Sequence, residues 1–162
     1  MLSSTLLRLA LMLALVLSGQ AVLAAGGGSD DSPSSRRAQE DPDFTAGRQA
    51  VEAKNWQAAL AAFGKVVAKD PTNPNGYNML AYSYRKSGKL DLAFKNYGEA
   101  LRLDPKHRAA HEYVGEAYLM AGNLAKAEEH LKVLDELCLF GCEEYRELKE
   151  AVAEYKQKAA NK

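Results

Sequence analysis

Two kinds of hydrophobic pattern run along this chain, and they predict different things. Near the start, Arg8 is followed by an apolar run from Leu9 to Leu17 that has no polar face. From Phe44 onward the apolar and small residues instead recur with a period of 34. Ala59, Ala93 and Ala127 share that spacing, as do Phe63, Tyr97 and Leu131, and Gly47, Ala81 and Gly115. Pro71 and Pro105 share it too, each behind an aspartate. Four position classes on one period are the mark of a stacked helical-hairpin repeat. Farther on, Tyr145, Leu148, Val152 and Tyr155 form a single apolar stripe. Glu143, Glu147, Lys149, Glu150 and Glu154 occupy the other faces, which predicts one more amphipathic helix.

Each class has a physical reason. Gly or Ala at 47/81/115 and at 59/93/127 lets two helices of a hairpin cross closely, and the large apolar residues at 63/97/131 fill the groove toward the next hairpin. The prolines cannot continue a helix interior, so they separate the hairpins. Gly88 and Gly122 sit in the turns inside hairpins two and three as helix-ending glycines do. Asn55 takes that place in hairpin one, where asparagine tolerates left-handed backbone. Asn73-Pro74 reads as an N-cap followed by proline at the first helical position. The predicted fold class is all-α. It is an α-solenoid of three helix-turn-helix hairpins (residues 43–139, about 43–71, 74–105 and 108–139) and a C-terminal capping helix over 143–160. That last helix covers the apolar face a stack leaves open; a free, partner-binding amphipathic tail is the competing reading.

At these residues the chain resembles the tetratricopeptide repeat family, with its 34-residue pattern W-x2-L-G-x2-Y, A-x3-F, A and P. The second repeat matches at Tyr77, Leu80, Ala81, Tyr84, Ala93, Tyr97, Ala100 and Pro105. The first matches at Gly47, Ala59, Phe63 and Pro71, with Ala50 and Val66 departing from it. The third matches at Val114, Gly115, Tyr118 and Ala127, then departs at Leu134 and Leu139. The chain is similar to small exported bacterial proteins of this family.

The resemblance implies a concave surface lined by the first helix of each hairpin, holding a peptide or a partner helix. The matching positions are Phe44, Arg48 and Val51, then Asn75, Asn78, Tyr82 and Arg85, then Ala109, Glu112, Glu116 and Leu119. Tyrosine and arginine often anchor interfaces, and an asparagine amide can hold an extended backbone. One subfamily clamps a C-terminal carboxylate. Its positions correspond here to Phe44, Arg48, Met79, Ala109 and Tyr113, of which only Arg48 could serve, so that clamp is not expected. The implied function is a non-catalytic adaptor or assembly factor with a protein or peptide partner and no cofactor.

The N-terminal pattern adds a location. A basic n-region, a short apolar run and the small-residue pattern Val22-Leu23-Ala24 predict a signal peptide over residues 1–24, cleaved after Ala24. The run is too short for a comfortable span of roughly 20 residues, so an uncleaved anchor is the lesser reading, and no stable membrane span is expected after cleavage. The expected location is periplasmic or secreted. Residues 25–42, rich in Gly, Ser, Pro and mixed charge, read as a disordered linker. The 162 residues carry 21 basic and 21 acidic side chains. That balance argues against a nucleic-acid or membrane-surface protein.

The only two cysteines, Cys138 and Cys142, bracket the corner into the capping helix. Gly141 can turn the chain there, and three intervening residues can bring the Cα atoms to about 5.5 Å, a disulfide distance. In an oxidising compartment the pair reads as a structural disulfide that fixes the docking angle of the cap. A redox-active pair and a soft-metal site remain as alternatives, giving a redox or metal-handling accessory protein as the second functional reading. His130, roughly 12 Å up its helix, is too far to share an ion with Cys138. His107 and His111 are four apart on one helix, but no third ligand joins them, and no metal site is expected. The sequence contains no phosphate loop, no G-x-S-x-G and no paired Cys/His motif.

Overall fold

The computed structural model describes residues 41–139 and 141–161; the predicted signal peptide and nearly all of the predicted linker lie outside them. Among the described residues there are seven helices and no strands. Helices α1 (Pro42–Glu52) and α2 (Trp56–Lys69) form the first hairpin, α3 (Pro74–Lys86) and α4 (Leu90–Leu103) the second, and α5 (Arg108–Met120) and α6 (Leu124–Leu137) the third. The last helix is α7 (Glu143–Ala160). No described helix is long and apolar enough to cross a membrane.

Local sequence sets most helix ends. The side chains of Asp41, Asn55, Asn73, His107 and Asn123 each accept a hydrogen bond from a backbone N–H of the helix they start. Such caps stabilise a helix by about 1 kcal/mol each. Proline follows Asp41 and Asn73, where its missing N–H costs nothing. Inside hairpins two and three, Gly88 and Gly122 turn the chain at positive φ (78° and 76°). Hairpin one differs from the expectation. Its left-handed residue is Lys54 (φ 54°), while Asn55 has φ −85° and caps α2. A capping asparagine needs extended-side backbone, so the preceding lysine takes the left-handed position.

Three apolar clusters follow the hairpins. Ala59, Phe63, Val66 and Leu80 form one, Ala81, Ala93, Tyr97, Val114 and Ala117 the next, and Ala127, Leu134, Leu148 and Val152 the third. In hairpin one Phe63 fills the space over Gly47: a Cβ on Gly47 would stand 2.6 Å from its ring. In hairpin three the space over Gly115 is filled from α7, because a Cβ there would stand 2.6 Å from a Leu148 δ-carbon. Leu131, expected to serve that position, is only half-buried, and Leu134 takes the fully buried place on α6. Helix α7 thus packs on both α5 and α6.

Candidate functional site

Helices α1, α3 and α5 are the first helices of their hairpins, and their exposed faces carry the positions expected to line a groove. The structure brings the central ones together. The Tyr82 and Tyr113 rings lie 4.9 Å apart, and Trp56 meets Tyr82 edge-on at 6.3 Å. The Arg85 guanidinium stands 5.2 Å from the Tyr82 ring centre and 5.6 Å from that of Tyr113, within cation–π range. Lys86 approaches Tyr82 at 5.4 Å. Arg85 also pairs with Glu116 of α5. Burial raises the Tyr113 hydroxyl to about 12, and it raises Tyr82 as well. Both rings therefore remain neutral phenols at physiological pH.

The expected lining positions do not share one exposure. Arg48 and Asn75 are exposed; Phe44, Val51, Tyr82, Ala109, Glu116 and Leu119 are half-buried. Asn78, Arg85 and Glu112 are only 3%, 5% and 4% exposed. Arg85 is therefore a strut between α3 and α5 rather than a side chain open to solvent. Phe44 turns inward onto Phe63, with ring centres 5.4 Å apart. Asn75 bonds His107 Nε2 at 3.0 Å, beside a cleft of about 280 Å³ that also touches Arg108 and Glu144.

Toward α7 the groove becomes acidic. Burial first, then the nearby Glu147 of α7, lifts the Glu112 carboxyl to about 9. Glu112 is therefore protonated at neutral pH. Glu144 lies 3.6 Å from Arg108.

The remaining chemistry lies elsewhere. His111 Nε2 donates to the Pro105 carbonyl at 3.0 Å, which leaves its Nδ1 to accept from His130 Nδ1 at 2.9 Å. Burial, then His111, lowers His130 to about 4. His107 and His111 thus face different partners. Among the described residues no three His, Cys, Asp or Glu side chains are grouped to hold a metal. Cys138 ends α6 and Cys142 precedes α7, with their sulfurs at bonding distance and their Cα atoms 5.5 Å apart. Sequence reasoning missed the pairings of Arg85 with Glu116 and of His111 with His130, and the approach of Glu147 to Glu112. The exact spacing of 34 between Asn78 and Glu112 placed both in one register, but nothing local pointed to Glu147.

Known proteins match this chain in the same region. The tetratricopeptide repeat model matches residues 44–94 and 78–138, together more than half of the chain. A TPR repeat-containing thioredoxin of Arabidopsis thaliana is 34% identical over 79 residues, which are 49% of this chain and 12% of that protein. A small glutamine-rich tetratricopeptide repeat-containing protein of Mycosarcoma maydis is 30% identical over 83 residues, 51% of this chain and 24% of its own length. The chain thus spans a quarter or less of these relatives. Among solved structures, the TPR2B domain of yeast Sti1 in complex with an Hsp70 peptide superposes with a TM-score of 0.65 at 20% identity, covering 72% of this chain and 94% of that one. The Yersinia enterocolitica secretion chaperone SycD with a YopD peptide gives 0.63 at 19% identity, covering 80% and 98%. These likenesses establish the fold, and the matched repeats establish the lineage: the chain belongs to the tetratricopeptide repeat family.

Proposed function

We propose that this chain is a non-catalytic protein-interaction module that takes a peptide or helix of a partner in the groove of α1, α3 and α5, outside the cytoplasm. The observation that carries the reading is the Tyr82–Tyr113 pair, neutral and half-buried, braced from beneath by Arg85 and its pairing with Glu116. Rigid aromatics on a fixed support lose little entropy on binding and make good anchors. The peptide complexes of Sti1 and SycD support the reading by analogy of fold. The location rests on the apolar run at Leu9–Leu17 and the small residues before Ala25. In such a compartment the Cys138–Cys142 bond serves as a staple that sets the corner into α7.

The test is partner capture from an extract of the source compartment by the wild-type chain and by Tyr82→Ala. The half-buried ring lies outside the apolar clusters, so the variant should stay folded, with a melting temperature lowered only by its lost contacts to Trp56, Tyr113 and Arg85, alongside loss of capture. Equal capture by both proteins would sink the groove reading.

A further inference from the structure

Hairpin three holds a pair of imidazoles that the groove does not use. His111 comes from α5 and is 7% exposed; His130 comes from α6 and is half-buried. Their Nδ1 atoms face each other at 2.9 Å, with ring centres 5.1 Å apart. The other nitrogen of His111 is committed. Its Nε2 lies 3.0 Å from the Pro105 carbonyl, which can only accept, so Nε2 carries the proton and Nδ1 presents a lone pair to His130. A backbone carbonyl on the far nitrogen is the arrangement that fixes tautomer and ring orientation in metal-bound histidines. The Tyr118 ring lies nearly parallel over His130, at 5.7 Å and 16°, and Phe94 backs Tyr118 at 4.6 Å. Two nitrogens thus converge beside an aromatic wall.

The donor set selects the ion. Zinc, calcium and magnesium take about four ligands or more, and among the described residues no third His, Cys, Asp or Glu joins the pair. Glu129, next to His130 in the chain, is paired with Lys126 at 2.7 Å. A closed-shell monovalent ion accepts two imidazoles in line, and aromatic faces favour a cation. We infer that hairpin three carries a two-coordinate site for a soft monovalent cation of the copper(I) class, held between Nδ1 of His111 and Nδ1 of His130. The site is separate from the groove and does not depend on the groove reading. Two metal–nitrogen bonds of about 2.0 Å place the nitrogens about 4 Å apart, so one ring must swing by about 1 Å. That ring is His130, the more exposed of the two. Binding moves its ring proton from Nδ1 to Nε2. Both imidazoles stay neutral, no net proton is released, and no electron is transferred.

The experiment titrates Ag(I), the redox-inert counterpart of Cu(I), into the full chain with its cysteines joined, so that no thiolate competes. Native mass measurement is expected to show one ion retained per chain. Nitrogen NMR of the histidine rings is expected to show Nδ1 of His111 and Nδ1 of His130 shifting together while His107 stays in place. His111→Gln, whose amide can still donate to the Pro105 carbonyl, and His130→Gln should each abolish retention at one equivalent of silver. Zn(II) at the same concentration should shift neither ring. An unretained ion, or a retained one that leaves both Nδ1 signals in place, overturns the inference and leaves the pair as a hydrogen bond alone. Retention by both variants overturns it, and so does Zn(II) moving the two signals as readily as Ag(I). The NMR readings are made on the wild-type chain, so they decide the matter even where a variant fails to fold.

Discussion

Gly47 and Gly115 hold the same place in their repeats, and each lets a large side chain come to within about 2.6 Å of where a Cβ would stand. The visitor differs. Over Gly47 it is Phe63, from the second helix of the same hairpin; over Gly115 it is Leu148, from α7. Hairpin one closes on itself, whereas hairpin three is completed by the helix that follows. This difference reaches the groove, because the turn of α7 that delivers Leu148 also brings Glu147 near Glu112. The helix that caps the stack therefore also builds the acidic end of the surface a partner would meet.

The largest break in this comparison is Leu148→Ala. Leu148 is fully buried, so the loss should be about 2–5 kcal/mol, measured by urea denaturation. Phe63→Ala should cost a similar amount, about 3–5 kcal/mol, but leave α7 docked. Limited proteolysis would then cut near α7 only in the Leu148 variant. A smaller effect separates the two glycines. Gly47→Ala presses on a rigid ring with no exposure, while Gly115→Ala meets the end of a leucine that can rotate. The first should cost about 1–3 kcal/mol and the second less, and a reversed order of melting temperatures would contradict the contact assignment.

Next come the cysteines. Replacing both with serine opens a short loop and should cost about 2 kcal/mol or less. Intact mass with alkylation, before and after reductant, checks that the pair is joined in the isolated protein.

The pH dependence is subtler and has two limbs. Glu112 is raised to about 9 from 4.5, so its contribution is complete below pH 4.5 and is lost as pH rises through about 9. His130 is lowered to about 4 from 6.5, so its contribution is complete above pH 6.5 and is lost as pH falls through about 4. Between 4.5 and 6.5 the two oppose each other. Glu112→Gln should flatten the alkaline limb alone, and His130→Gln the acid limb alone, in melting temperatures measured across pH.

The repeat frame was legible because it rests on residues whose constraints are local or strictly periodic. Alanine at 59, 93 and 127 is needed wherever two helices cross, and all three are fully buried. The buried face of α7 was legible as a stripe at Leu148 and Val152. What escaped depends on how one helix is rotated against another. Nothing near Glu112 announces Glu147, and nothing near His111 announces His130, because each approach is fixed by packing across a hairpin or onto α7. Arg85 was legible as an interface residue type, but not as a buried strut, since its burial comes from two tyrosines on different helices. The first turn failed for a local reason: asparagine suits both a left-handed turn and an N-cap, and Asn55 took the second role.

The most direct test of the account is amide hydrogen exchange on the full chain with and without a peptide selected from a random display library for binding that depends on Tyr82. The account predicts added protection in α3, α5 and the first turns of α7, with α2 and α4 unchanged. Protection confined to α2 and α4 would put the partner on the opposite face and contradict it.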